Sequence, residues 1–152
     1  MSKNLKATVV VYKSVSEAEQ EGNTASRAII AQTETQEDGT FIVSVTDVEE
    51  YDITVIKPGY LSYTITGIET QKSQKVEAQE LKLVAGDVVQ TGEIDLSDLV
   101  SLNDNFGLII DEYNKDDKGL YDFNEDGVVD VLDKNILKAN YGKKAQTVEW
   151  VN

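Results

Sequence analysis

The chain has 152 residues, with 14 Lys and Arg against 28 Asp and Glu, a formal net charge of −14, and neither His nor Cys. Disulfides, thiolate nucleophiles, His–Cys zinc sites and Ser–His–Asp triads are thereby excluded. So acidic a balance also argues against nucleic acid as a partner, because phosphate contacts need a basic surface. Hydrophobic residues make up 40 %, enough for a core, and no apolar run reaches the length of a membrane span. Met1-Ser2-Lys3 opens no signal peptide and reads as an added start on a piece of a larger secreted protein.

The first half has the grammar of strands. Thr8-Val9-Val10-Val11-Tyr12 is β-branched and aromatic, and residues 14–26 then read as a polar loop. Strands are expected next at 28–31, 41–45, 51–55, 61–65 and 78–84, the later ones with period-two alternation. Asp38-Gly39 and Pro58-Gly59 supply turns between them. Six or seven short strands so spaced predict a β-sandwich over residues 4–84.

From Gly86 the period changes. Leu99, Leu102 and Phe106 lie at helical spacing, as do Leu137 and Tyr141. Acidity also rises: residues 85–152 carry 15 acids and 6 bases, against 13 and 8 in residues 1–84. No Gly/Ser/Pro linker intervenes at 84–86, so the two halves are expected to abut rigidly.

An internal repeat with a period of 35 residues organises the second half. The stretch from Asp87 to Asp98 aligns with Asp122 to Asp133, and the match continues through Leu102/Leu137, Asn105/Asn140, Phe106/Tyr141 and Gly107/Gly142. The second copy reads as a calcium loop. Ca²⁺ takes six to eight oxygens, which a twelve-residue loop supplies from positions 1, 3, 5, 7, 9 and 12. Here those are Asp122, Asn124, Asp126, the Val128 carbonyl, Asp130 (directly or through water) and Asp133, with Gly127 at the sharp turn. Position 12 is Asp where the EF-hand pattern has Glu. Val129, at position 8, is placed to pair with Ile94 across the loops. The first copy offers Asp87, Thr91, the Glu93 carbonyl, Asp95 and Asp98, with Gly92 at the turn. Val89 cannot ligate and Thr91 brings only a neutral hydroxyl, so a weaker site or a vestigial loop is expected. A strand precedes the first loop and a polar turn, residues 114–119, precedes the second. Each unit is therefore a loop followed by one helix.

Two such loop–helix repeats, opened by Gly86-Asp87 and closed by Phe106-Gly107 and Tyr141-Gly142, resemble a dockerin, the calcium-binding module that plugs enzymes or scaffoldins into cohesins of bacterial cellulosomes. Asp38-Gly39-Thr40-Phe41 and Lys57-Pro58-Gly59-Tyr60 make the first half similar to carboxypeptidase regulatory-like, Ig- or transthyretin-like sandwiches. Together the halves resemble an X-module–dockerin dyad with a type II dockerin. The resemblance implies two domains, an all-β sandwich at 4–84 and a small all-α dockerin at 85–152 whose repeats span 87–107 and 122–142. It also implies a non-catalytic, extracellular module associated with the bacterial cell surface, monomeric when unbound. Two calcium ions would be bound, the first more weakly. The partner would be a cohesin of a scaffoldin or cell-surface anchoring protein, with no nucleic acid and no membrane insertion. The outward positions of the helices and loop ends, Leu96, Ser97, Val100, Asn103, Val131, Leu132, Asn135 and Lys138, would meet that partner.

Other readings have less behind them. A calcium sensor opens a Met-rich groove, but the one Met is Met1. Acidic pairs such as Glu49/Glu50 or Asp116/Asp117 could serve acid–base catalysis, yet surface pairs are usually only solvated. Carbohydrate binding by a sandwich through Tyr12, Tyr51, Tyr60 or Tyr63, with an appended calcium domain, is the alternative function. Aromatics at alternating strand positions more often belong to a core. Trp150, past the last helix, is expected to pack as its tail returns over the protein.

Overall fold

A computed structural model describes residues 6–14, 29–45, 50–70 and 80–150. Its strands are β1 (Thr8–Lys13), β2 (Ile29–Glu34), β3 (Glu50–Ile56), β4 (Tyr63–Glu69) and β5 (Gln146–Glu149). Its helices are α1 (Leu96–Asp104), the single turn α2 (Lys115–Lys118) running into a 3₁₀ turn at Gly119–Tyr121, and α3 (Val131–Ala139).

All five strands lie in one sheet, in the order β2-β1-β3-β4-β5. β1 forms the middle of the N-terminal half because Val9, Val10 and Val11 are buried on both faces, a pattern β-branched residues suit. It pairs antiparallel with β2 and β3, and β3 pairs antiparallel with β4. At the bulge between Tyr51 and Ile53 the buried Asp52 accepts hydrogen bonds from the Ser14 hydroxyl at 2.5 Å and the Gly67 N–H at 3.1 Å. Both β4 and the bulged strand are thereby held in register. Ala7, Val9 and Val55 form a small core roofed by Phe41, Leu81 and Leu83.

The expected architecture of a sandwich followed by a separate all-α domain is corrected here. β5 comes from the chain beyond α3, yet it pairs parallel with β4, Tyr63 to Thr66 matching Gln146 to Glu149. The sheet therefore draws strands from both sides of residue 84, and the C-terminal part is not all-α. The larger core likewise runs across that point, from Leu61 and Ala85 through Ile94, Leu102, Phe123 and Val129 to Leu137, with Tyr60 and Val84 packed against it. One domain, dominated by its five-stranded sheet, results. The physical reason is that β4 has an edge to satisfy, and the extended tail supplies the backbone partners.

Smaller expectations also shift. Residues 41–45 and 80–84 are not strands; they lie against the sheet through Phe41, Leu81 and Leu83 without joining its ladder. The strand expected at 61–65 starts at Tyr63 and runs to Glu69. The polar turn at 114–119 is largely the helical turn α2. The loop at 15–26, the strand ends at Ala28 and 78–79, and Glu49 lie outside the described residues.

Candidate metal centre

Each loop is built by its own side chains. In the second, the Asp122 carboxylate accepts from the N–H groups of Asp126 (3.2 Å) and Gly127 (2.8 Å). Asp133 accepts from Phe123 (2.7 Å), Asn124 (3.3 Å) and Asp130 (2.9 Å). The first loop repeats the scheme 35 residues earlier: Asp87 accepts from Thr91 and Gly92, both at 3.0 Å, and Asp98 from Val89 and Asp95. Gly92 and Gly127 take φ of 88° and 92°, the left-handed turn that glycine enters without a Cβ clash. Gln90 and Glu125 both sit at φ 60°.

The loops end as helix N-caps. The Asp95 side chain accepts from Ser97 N–H, and Asp98 answers by accepting the Asp95 N–H, a reciprocal capping box. Asp130 and Asp133 do the same for α3. The two position-9 carboxylates therefore face their helices, and position 12 serves loop and helix together. Asp133 and Asp98 are fully buried.

In the second loop Asp122, Asp126 and Asp133 each bring a carboxylate oxygen within 4.8 Å of the others. Asn124 sits at the edge of this group, its Oδ1 accepting from Asp126 N–H and its amide donating to Asp126. Val128 N–H donates to Asp126 as well. Three converging hard oxygens inside a glycine-turned loop fit a divalent cation of the Ca²⁺ class. In the first loop two buried carboxylates, Asp87 and Asp98, remain, while the Thr91 hydroxyl donates to the Glu93 carbonyl at 3.1 Å. Two of the expected ligand atoms there hold each other.

Burial raises the Asp87 carboxyl above the usual Asp range, against the pull of the Gly92 and Thr91 N–H groups, and Asp98 adds repulsion. Asp133 is raised for the same reason, with Asp122 as its repelling neighbour. Asp95 is lowered by the Ser97 hydroxyl and N–H. Charge collected and desolvated in this way favours a cation.

The two units are interlocked. The segment around Gly92–Ile94 bonds to the chain after α3: Ile94 N–H to Lys143 O, Gly142 N–H to Ile94 O, Ala145 N–H to Gly92 O. The segment around Gly127–Val129 bonds in the same way to the chain after α1, through Gly107, Leu108 and Ile110. Ile94 and Val129, expected to pair with each other, are both fully buried in the shared core while their backbones bond to these exit segments. The 35-residue offset maps Ile109 onto Lys144, the two partners of Val128 and Glu93, so this exchange was encoded in the repeat.

The second loop also leans on the sheet. Phe123 meets Tyr60 edge to face, ring centroids 6.3 Å apart, and Lys57 Nζ lies 4.5 Å from the Tyr60 ring centroid. A Cβ on Gly59 would collide with the Leu120 carbonyl, so the β3–β4 turn can approach the second unit only as glycine. These contacts carry no loop-pattern signal and were not foreseen.

Of the eight residues expected at a partner surface, all are exposed. Leu96 (61 %), Val100 (49 %), Val131 (53 %) and Leu132 (50 %) are the ones for which that decides something. Apolar side chains at these positions could equally have entered the core.

No family model and no curated protein matches the chain. Among solved structures, it is similar to a chain in a complex described as an N-terminal interface mutant of a type II cohesin–X-dockerin complex from Acetivibrio cellulolyticus. The TM-score is 0.65 at 23 % identity, over 94 % of this chain and 84 % of that one. The corresponding C-terminal interface mutant complex from the same organism matches with a TM-score of 0.63 at 23 % identity, over 91 % and 83 %. At that identity the likeness establishes a shared fold: nearly the whole chain has the architecture of a chain from a type II cohesin–X-dockerin assembly.

Proposed function

We propose that the protein is a non-catalytic, calcium-dependent assembly module that works in a cohesin–dockerin pairing, on the dockerin side, in an extracellular cellulosome. The observation that carries this reading is the second loop: three converging carboxylates lead directly into a helix whose first turn exposes Val131 and Leu132; the helix of the first unit likewise exposes Leu96 and Val100. Calcium would fix the loop ends and hence the pose of both helix starts, so partner capture would follow the metal. The fold shared with type II cohesin–X-dockerin assemblies supports the setting. No helix among the described residues is long and apolar enough to cross a membrane.

Metal that binds only the folded state stabilises it by RT ln(1 + [L]/Kd), about 4 kcal/mol at roughly 1,000-fold excess over Kd. Each Ca²⁺ would also offset two of the fourteen net negative charges.

A second reading puts the chain on the cohesin side; its sheet-dominated single domain favours that. Capture assays on immobilised type II cohesin, type II dockerin and cellulose, with calcium and with EDTA, separate the readings. Calcium-dependent capture by cohesin supports the proposal. Capture by dockerin alone establishes the second reading, and retention on cellulose alone the carbohydrate-binding one.

A further inference from the structure

We propose that Tyr60, in the turn between β3 and β4, positions a ligand of the second loop: its ring holds Phe123, and Phe123 sets the Asp133 carboxylate ready for the cation. The inference rests on the calcium reading of the second loop and adds to it a residue that lies outside the repeat altogether.

The path has two links. Phe123 meets the Tyr60 ring edge to face, with centroids 6.3 Å apart. The same residue donates its backbone N–H to Asp133 Oδ1 at 2.7 Å, closer than the 3.3 Å from the neighbouring Asn124 N–H to that oxygen. The other oxygen of Asp133 accepts the Asp130 N–H at 2.9 Å, in the cap of α3. Oδ1 is therefore oriented from the entry of the loop and Oδ2 from the start of the helix. A carboxylate has about four lone-pair sites, so these N–H groups fix its plane and still leave a direction open to a metal. Groups that orient a ligand in this way govern affinity, because the geometry is set before the metal arrives. A shift of the Phe123 ring would carry its N–H away from Asp133, and Tyr60 is the ring that meets it.

Tyr60 is itself held from several directions. Its backbone bridges Ala85 in an antiparallel pair, flanked by Leu61 N–H to Val84 O and Gly86 N–H to Gly59 O, both 2.8 Å. Lys57 Nζ lies 4.5 Å from the ring centroid, a cation–π contact. The Lys57 carbonyl in turn accepts from Gln90 Nε2 at 3.2 Å. The loop's charges also face the ring: after burial, Glu125, Asp122 and Asp133 hold the Tyr60 phenol above its ordinary range.

The first loop is arranged differently. Val88 stands where Phe123 does, and its N–H donates to Gly86 O at 3.0 Å, while Asp98 Oδ1 accepts from Val89 at 3.0 Å. Among the described residues, an aromatic of the sheet reaches a position-12 carboxylate through its neighbour only in the second loop.

The test uses the full chain, with amide exchange followed by NMR and calcium titrated by calorimetry at a temperature where melts show every variant folded. Tyr60→Leu keeps an apolar side chain without the ring, and Tyr60→Phe keeps the ring. In EDTA, Tyr60→Leu should speed exchange of the Phe123 amide and spare those of Thr91 and Gly92 in the first loop. With calcium it should weaken binding about five- to tenfold, at or below the roughly ten- to hundredfold of a direct outer-shell partner, because the ring acts one contact further out. Tyr60→Phe should restore both readouts. Phe123→Leu should weaken calcium similarly, and the double variant should lose no more than either single one, since residues acting through one contact are not additive. If Tyr60→Leu lowers only the melting temperature and leaves calcium affinity and Phe123 exchange unchanged, or if the two losses add, the inference fails while calcium-dependent cohesin capture stands. If calcium binding responds to Tyr60 as expected but no cohesin is captured, the capture reading fails and the inference stands. A native chain that binds no calcium overturns both.

Discussion

The carboxylates of the two loops are unequal at the level of single residues. Asp133 joins Asp122 and Asp126 in one oxygen cluster, whereas Asp98 has only Asp87. Asp122→Ala or Asp133→Ala should therefore abolish most calcium-dependent stabilisation, seen as loss of the melting shift between calcium and EDTA, and Asp87→Ala should remove less. Equal losses would contradict the inequality. Acidification reports on the same groups. In the metal-free protein Asp87 and Asp133 titrate above the ordinary Asp range because they are buried. A folded-state pKa above the unfolded value means stability that is complete below the unfolded pKa and lost as pH rises through the folded one. The metal-free protein should accordingly melt higher as pH falls from neutrality toward about 4, the unperturbed Asp value. Over the same interval the calcium-induced shift should shrink, since protons compete for the ligands. Calorimetry across that pH range with EDTA and with calcium checks both signs.

Elements carry the specificity. Both long helices start on a reciprocal carboxylate cap, and Asp130→Ala should cost about 1 kcal/mol through the cap alone, measurable by urea melts in EDTA where no metal contributes. Their exposed faces differ. Val100, Asn103 and Asp104 of α1 correspond to Asn135, Lys138 and Ala139 of α3, all exposed, while Leu99, expected to face outward, packs against the core. Turning the repeat by 180° would exchange an acidic, apolar face for a basic, polar one, and a partner complementary to one face is mismatched to the other. A single docking orientation is expected. In titrations against cohesin, at least one of Leu96→Asp and Leu132→Asp should then cost more than roughly 2 kcal/mol, as a hot spot does. Two interchangeable orientations would instead show about a twofold loss for each single variant and collapse only in the double variant.

At the scale of the molecule, one sheet and one larger core join residues on both sides of Val84. Unfolding in calcium should therefore be a single calorimetric transition. A flexible Gly/Ser insertion after Val84 should broaden or split it, by breaking the Leu61–Val84 and Gly59–Gly86 backbone bonds, both 2.8 Å. Two well-separated transitions in the native sequence would refute this unity. The sequence carried the loops because their chemistry is local: ligand spacing, turn glycine and cap all lie within twelve residues. β1 and β3 were legible for a similar reason, their β-branched runs standing out. The single domain was not, because it depends on β5, where Gln146-Thr147-Val148-Glu149 offers little apolar signal and the partner strand lies some eighty positions away. Residues 41–45 failed in the opposite sense, alternating like a strand while packing as a roof over the sheet.

The exchange of ladders between the two repeats has a consequence for how the sequence can change. Each loop is completed by the chain that leaves the other helix, so neither repeat is a folding unit by itself; the pair is a dimer written on one chain. Substitutions at the turn glycines or in the shared core must suit both copies, and there the copies match in kind: Gly92 with Gly127, Ile94 with Val129, Leu102 with Leu137, Gly107 with Gly142. Divergence is tolerated where only one copy is affected, and Val89 against Asn124 and Thr91 against Asp126 fall at loop positions 3 and 5, where the proposed calcium reading puts ligands. Joint architecture and separable ligand sets let one copy drift in affinity while the other anchors the fold.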